Sequence, residues 1–82
     1  MRLPRDISGD ELVARLSRYG YKQTHQTGSH VQLLAVIGGR ECRLTVPRHG
    51  AVRVGTLAQI LRIAAGQLGR SRDDLAEELF GR

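Results

Sequence analysis

His30 follows directly on the pair Gly28-Ser29, His25 stands five residues before it, and His49 closes the run Val46-Pro47-Arg48-His49. An imidazole has an ordinary pKa near 6.5, so it can take or give a proton at neutral pH. Around these histidines the chain is strongly basic, with thirteen Lys and Arg against eight Asp and Glu and a sequence pI of about 10.7. Excess positive charge attracts polyanions. Proton transfer on a bound polyanion is therefore the chemistry these residues could perform. RNA suits it, because its own 2′-hydroxyl can attack the adjacent phosphorus. A catalyst has only to remove that proton, protonate the departing 5′-oxygen and stabilise charge on the phosphoryl oxygens.

Length and composition narrow the field. Eighty-two residues allow one domain, and a chain this short buries only about 60% of its unfolded surface. A deep substrate cavity is not expected, so chemistry belongs on a surface or in a shallow groove. Twelve arginines stand against the single lysine, Lys22. The planar guanidinium fork suits phosphate oxygens, although a bias toward Arg, Ala and Gly would give the same ratio. Cys42 is the only cysteine, which excludes an intramolecular disulfide, argues against a Cys-based metal site and fits a reducing cytoplasm. The N-terminus reads as neither a signal peptide nor a membrane span. Three aromatics, Tyr19, Tyr21 and Phe80, are too few for a base-stacking platform.

The elements that must position the histidines can be read from periodicity and turns. Ser8-Gly9-Asp10-Glu11 has the form of a capping box, with Ser8 as N-cap and Glu11 reaching back. Leu12, Val13, Leu16 and Tyr19 follow at helical spacing up to Gly20, with Arg15 and Arg18 on the opposite face. From Tyr21 to Val46 the chain reads as a three-stranded antiparallel meander with turns at Gly28-Ser29 and Gly38-Gly39. A two-residue loop at Gly38-Gly39 sets Ile37 against Arg40, Ala35 against Cys42, Leu33 against Leu44 and Val31 against Val46. That register buries Val31, Leu33, Ala35, Cys42, Leu44 and Val46 and leaves His30, Gln32, Leu34, Arg43 and Thr45 on the other face. In the first strand a two-residue Gly28-Ser29 loop would turn Lys22 inward and Tyr21 outward, so a longer loop or a bulge is expected. Pro47 ends the third strand, and a basic loop, Arg48 to Gly55, follows. Thr56 is the expected N-cap of a second helix bearing Leu57, Ile60, Leu61 and Ala64, interrupted by Gly66 and Gly69. Ser71-Arg72-Asp73-Asp74 opens a short third helix with Leu75, Leu79 and Phe80 on its apolar side. The order α-β-β-β-α with a short extra C-terminal helix is an α+β architecture, with helices on one face of an antiparallel sheet. It is also the order of the double-stranded-RNA-binding fold.

Across nearly its whole length, as one domain over residues 1–82, the chain resembles the HicA toxins, the RNA-cleaving partners of HicB antitoxins. Gly20-Tyr21 with Gly28-Ser29-His30 resembles the family's first hairpin, and Val46-Pro47-Arg48-His49 its third-strand exit. Arg53-Val54-Gly55-Thr56-Leu57 with Ile60-Leu61 resembles its second helix. The resemblance implies the double-stranded-RNA-binding type of fold and metal-independent endoribonuclease activity on mRNA without a cofactor. It further implies a HicB-like antitoxin partner and a cytoplasmic setting, and carries the role of single catalytic histidine onto His30. The chain departs from the family in having His25 where an arginine is usual and Thr27 where a lysine is common. Its connection from Ala65 to Ser71 also looks longer than usual.

On this reading His30 transfers protons and Arg43 is a phosphate clamp on the same face. Gly28, Ser29, Arg48, His49 and Arg53 complete the expected RNA-binding set. His25 is either a plain surface residue or a second proton-transfer group. Three histidines with no acidic residue close in sequence make a poor metal site. Asp73, Asp74, Glu77 and Glu78 read as a solvated helix face, and Cys42 as a core residue. The competing reading is a non-catalytic RNA-binding module. A DNA-binding protein is disfavoured, since no helix shows exposed base-reading residues at recognition spacing.

Overall fold

A computed structural model describes residues 3–48 and 50–81. Helix α1 spans Gly9–Leu16 and continues as a 3-10 turn over Ser17–Tyr19. Strands β1 (Lys22–Thr27), β2 (His30–Ile37) and β3 (Arg40–Pro47) follow, then α2 (Val54–Leu68) and α3 (Arg72–Phe80). The strands form one antiparallel sheet in the order β1-β2-β3. This is the α+β arrangement that the periodicity implies.

One continuous core lies between the sheet and the helices. Val31, Leu33, Ala35, Leu44 and Val46 project into it from the sheet, and Leu12, Leu16, Leu57, Leu61, Leu75 and Leu79 meet them from the helices. The β2–β3 register agrees pair for pair with the alternation argument, Ile37 to Arg40 through Val31 to Val46. Gly38 and Gly39 both have positive φ, 60° and 79°, which a two-residue hairpin of the primed type demands. Cys42 departs from expectation: it is only half-buried, because it lines an open groove with Ile63 and Gly66 of α2.

The β1–β2 hairpin resolves the conflict between loop length and side-chain parity. Thr27 pairs with His30, so the loop is only the two residues Gly28 and Ser29. The parity is corrected further along, where Gln23 pairs with Leu33 but His25 pairs with Gln32, leaving Thr24 as a bulge. The Thr24 hydroxyl is directed toward the Gln32 carbonyl at 3.5 Å. One extra residue reverses the faces of everything before it. Tyr21 is thereby fully buried, and Lys22 comes out on the open face.

Both outer helices have the expected caps. Ser8 accepts from the Glu11 amide and Ser71 from the Asp74 amide, each at 3.0 Å. The capping box is formed on one side only, since the Glu11 carboxylate turns instead to Arg15 at 2.7 Å. Arg15 itself is no free surface residue. Its guanidinium also donates to the Leu79 carbonyl and lies over the Phe80 ring, 5.5 Å from the centroid, locking α1 onto α3.

Helix α2 starts earlier and ends later than its sequence suggests. Its N-cap is Arg53, not Thr56, and no side chain caps it. The loop before it is pinned: Ala51 bridges to Ser8, and the Val52 amide donates to the Ile7 carbonyl at 2.8 Å. The chain is released at Arg53 and coils at once, with the Leu57 amide donating to the Arg53 carbonyl at 2.8 Å. Gly66 does not interrupt the helix, because buried Ala64 and Ala65 and the hydrogen bonds of Gln67 hold the last turn. Only Gly69 stops it, so the connection to α3 is just Gly69 to Ser71.

Candidate nucleic-acid interface

The helices cover one face of the sheet, and the other is bare. Across it the register lays side chains in rows. Lys22, Leu34 and Arg43 form one row, and His25, Gln32 and Thr45 the next. His30 follows, opposite Pro47 at the hairpin end. His25, His30, Lys22, Arg43 and Thr45 are all exposed. The Thr45 hydroxyl donates to the Gln32 amide oxygen at 3.2 Å, which fixes the side chains in the middle row.

Local backbone geometry holds His30 in place. Gly28 has φ 57° while Ser29 stays at negative φ, so glycine is needed at the first central position of the turn. The Arg48 amide donates to the Ser29 carbonyl at 2.7 Å and ties the turn to the exit of β3. The exit is held in turn by α1. Gly9 packs so closely on it that an added β-carbon would strike the Pro47 carbonyl oxygen and come within 2.8 Å of the Arg48 α-carbon. Gly9 is thus a supporting residue that periodicity could not reveal, since it takes part only in a contact between distant segments.

The expected RNA-binding residues do not all gather on this face. Gly28 and Ser29 border His30, as their place in the turn requires. Arg43 shares the face, but pairs with Leu34, four residues along β2 from His30, a separation of about 13 Å at strand rise. Its guanidinium lies 3.2 Å from Glu41, an exposed pair worth at most about 1 kcal/mol that a phosphate can displace. The Arg48 side chain turns away, pairing with Asp10 at 3.1 Å and donating to the Gln26 amide oxygen. Arg53 is exposed at the start of α2, on the helix side of the sheet. His49 lies outside the described residues. Lys22 was not singled out by sequence reasoning, yet the bulge sets it in the row of Arg43.

Other groups serve the frame. The Tyr21 hydroxyl donates to the Gln67 amide oxygen at 2.5 Å, and Gln67 donates to the Arg43 carbonyl at 2.9 Å. Burial, with a smaller contribution from Cys42, pushes the Tyr21 hydroxyl up to about 12 from its usual 10.0. Glu78 is more than a solvated helix residue. It accepts from the Tyr19 hydroxyl at 2.6 Å and pairs with Arg70, whose guanidinium lies 5.6 Å from the Tyr19 ring centroid. The Tyr19 hydroxyl and then Arg70 hold its carboxyl below the ordinary value. Burial and then the Glu78 hydrogen bond raise the Tyr19 hydroxyl.

A concavity lies away from these histidines. A groove of about 470 Å³ between β3 and α2 is lined by Thr45, Gly55, Gln59, Ile60 and Ile63 among others, and contains neither histidine. Its lining also includes Arg43 and is otherwise largely apolar. Among the described residues no three His, Cys, Asp or Glu side chains come together as a metal-binding group. No helix among them is long and apolar enough to cross a membrane.

The fold is that of a small basic α+β protein, with helices on one side of its sheet and an exposed imidazole at a tight turn on the other. Residues 9–65 match the family described as the HicA toxin of bacterial toxin-antitoxin. The match spans more than half of the chain, from the start of α1 into α2, and the protein belongs to that family. No curated protein and no solved structure matches significantly.

Proposed function

We propose that this toxin is a metal-independent endoribonuclease that cleaves mRNA with His30 as a proton-transfer residue. The observation that carries the reading is an imidazole standing exposed on the uncovered sheet face, at Gly28-Ser29, in a chain of the HicA toxin family. The RNA's 2′-oxygen attacks phosphorus, the bond to the 5′-oxygen breaks, and the ends formed are a 2′,3′-cyclic phosphate and a 5′-hydroxyl. Lys22 and Arg43 hold phosphates along the same strand away from the scissile one, which supports binding without base readout. The antitoxin partner is a HicB-like protein that covers His30, and both act in the cytoplasm. Acidic residues on its contact surface would speed association with so basic a toxin and make it salt-sensitive.

The test is RNA cleavage by purified protein in EDTA, compared with His30→Ala. General acid–base help is commonly worth about 10²–10⁴-fold, and a loss of that order is expected. Because His30 is exposed, the substitution leaves no cavity, and stability should change by no more than about 0.5 kcal/mol. Undiminished cleavage by the variant would overturn the assignment. Tight binding without cleavage by the native protein would instead identify a non-catalytic RNA-binding module.

A further inference from the structure

We propose that His25 is a second catalytic residue, paired with His30 so that one imidazole accepts the proton of the 2′-hydroxyl while the other donates to the 5′-oxygen. The inference rests on the ribonuclease reading above and deepens it. His30 pairs across the hairpin with Thr27, and His25 pairs with Gln32, two residues further along β2. The two histidines are therefore diagonal neighbours on one face, with backbones about 7–8 Å apart. Two imidazoles rooted at that spacing can close on a single phosphodiester from either side. Both are exposed, and among the described residues no side chain hydrogen-bonds either ring.

The bulge at Thr24 is part of the argument. It lets Tyr21 enter the core while His25 keeps the parity of His30. A strand without it could not satisfy both requirements with a two-residue turn. The charged groups sharing the face are Lys22 on β1 and the Arg43–Glu41 pair on β3. All lie beyond the His25 row, toward the far end of the sheet, and the helices pack on the opposite side. Among the described residues, the two histidines are thus the imidazole pair at the hairpin end of the open face.

The step balances without a further reactant. One neutral imidazole takes the 2′-hydroxyl proton as the 2′-oxygen–phosphorus bond forms. The bond from phosphorus to the 5′-oxygen breaks, and that oxygen takes a proton from the second, protonated imidazole. The pair ends with its protonation exchanged and is reset by water.

The experiment measures the pH dependence of single-turnover cleavage of one oligoribonucleotide by the native protein, His25→Gln, His25→Arg and His30→Ala. The native profile should be bell-shaped. His25→Gln should lose at least about 10²-fold near the optimum and one limb of the bell. His25→Arg restores fixed charge, and should be as slow as His25→Gln while binding RNA at least as well as the native protein. A full-rate His25→Arg would show that the position contributes charge alone, and would overturn the proposal. So would an intact bell in His25→Gln together with an inactive His30→Ala, which leaves the ribonuclease reading standing. Failure of the native protein to cleave, or full activity of His30→Ala, would overturn that reading itself.

Discussion

Tyr21→Phe should invert its effect on stability with pH. The native hydroxyl lies in the core, donates to Gln67 and has its pKa pushed up to about 12 from 10.0. The fold therefore keeps a proton that the unfolded chain gives up above pH 10. Where the native state binds more protons, stability falls as pH rises. The contribution of the neutral hydroxyl is fully present below about pH 10 and is lost as pH climbs through about 12. Two pH units at about 1.4 kcal/mol each make a loss of about 2–3 kcal/mol, a large share of the total stability of so small a chain. Below pH 10 the variant should be the weaker by about 1 kcal/mol, because Gln67 loses its donor. The two stability curves should then cross between about pH 10.5 and 11.5. Urea unfolding at a series of pH values reads this directly. Tyr19 titrates in both proteins and drops out of the difference. Parallel curves would show that Tyr21 ionises in the fold as readily as in the unfolded chain. The burial on which the bulge argument, and with it the facing of Lys22, depends would then be wrong.

Gly9→Ala should destabilise by about 1–3 kcal/mol, because its methyl meets the Pro47 backbone, which cannot yield as a side chain would. Gly66→Ala, in open space inside α2, should instead stabilise by about 0.5–1 kcal/mol, and thermal melting of the two variants checks both signs. In the His30→Ala background, Lys22→Gln and Arg43→Gln should each weaken RNA binding and flatten the salt dependence by about 0.7 in log–log slope. Arg48→Gln should cost stability through Asp10 and Gln26 more than it costs affinity, and filter binding with parallel melting separates the two. Glu78→Gln should flatten the loss of stability in acid. The Glu78 carboxyl is held below its usual value in the fold, so its contribution is present above the ordinary carboxylate range and disappears as pH falls through the lowered value. Acid titration followed by circular dichroism reads that difference.

Much of the frame was legible in the chain. The β2–β3 register follows from alternation anchored at Gly38-Gly39, and the caps at Ser8 and Ser71 from local hydrogen bonding, because each depends on residues close in sequence. The face on which His30 stands follows from the same alternation. Several features depended on distant segments and could not be read that way. Pinning of Ala51 and Val52 to the N-terminal segment moved the N-cap of α2 from Thr56 to Arg53, and packing carried the helix through Gly66. Asp10 and Gln26 drew Arg48 off the open face, and strand rise separated Arg43 from His30. Parity alone showed that Tyr21 needed a bulge or a longer loop. Only the demand of the core for the tyrosine ring, met together with a two-residue turn, set that bulge at Thr24 and brought Lys22 onto the face that His25 and His30 already share. Periodicity records which face each residue prefers, and where those preferences conflict the packed core decides, because a large side chain has more burial energy at stake than an exposed imidazole.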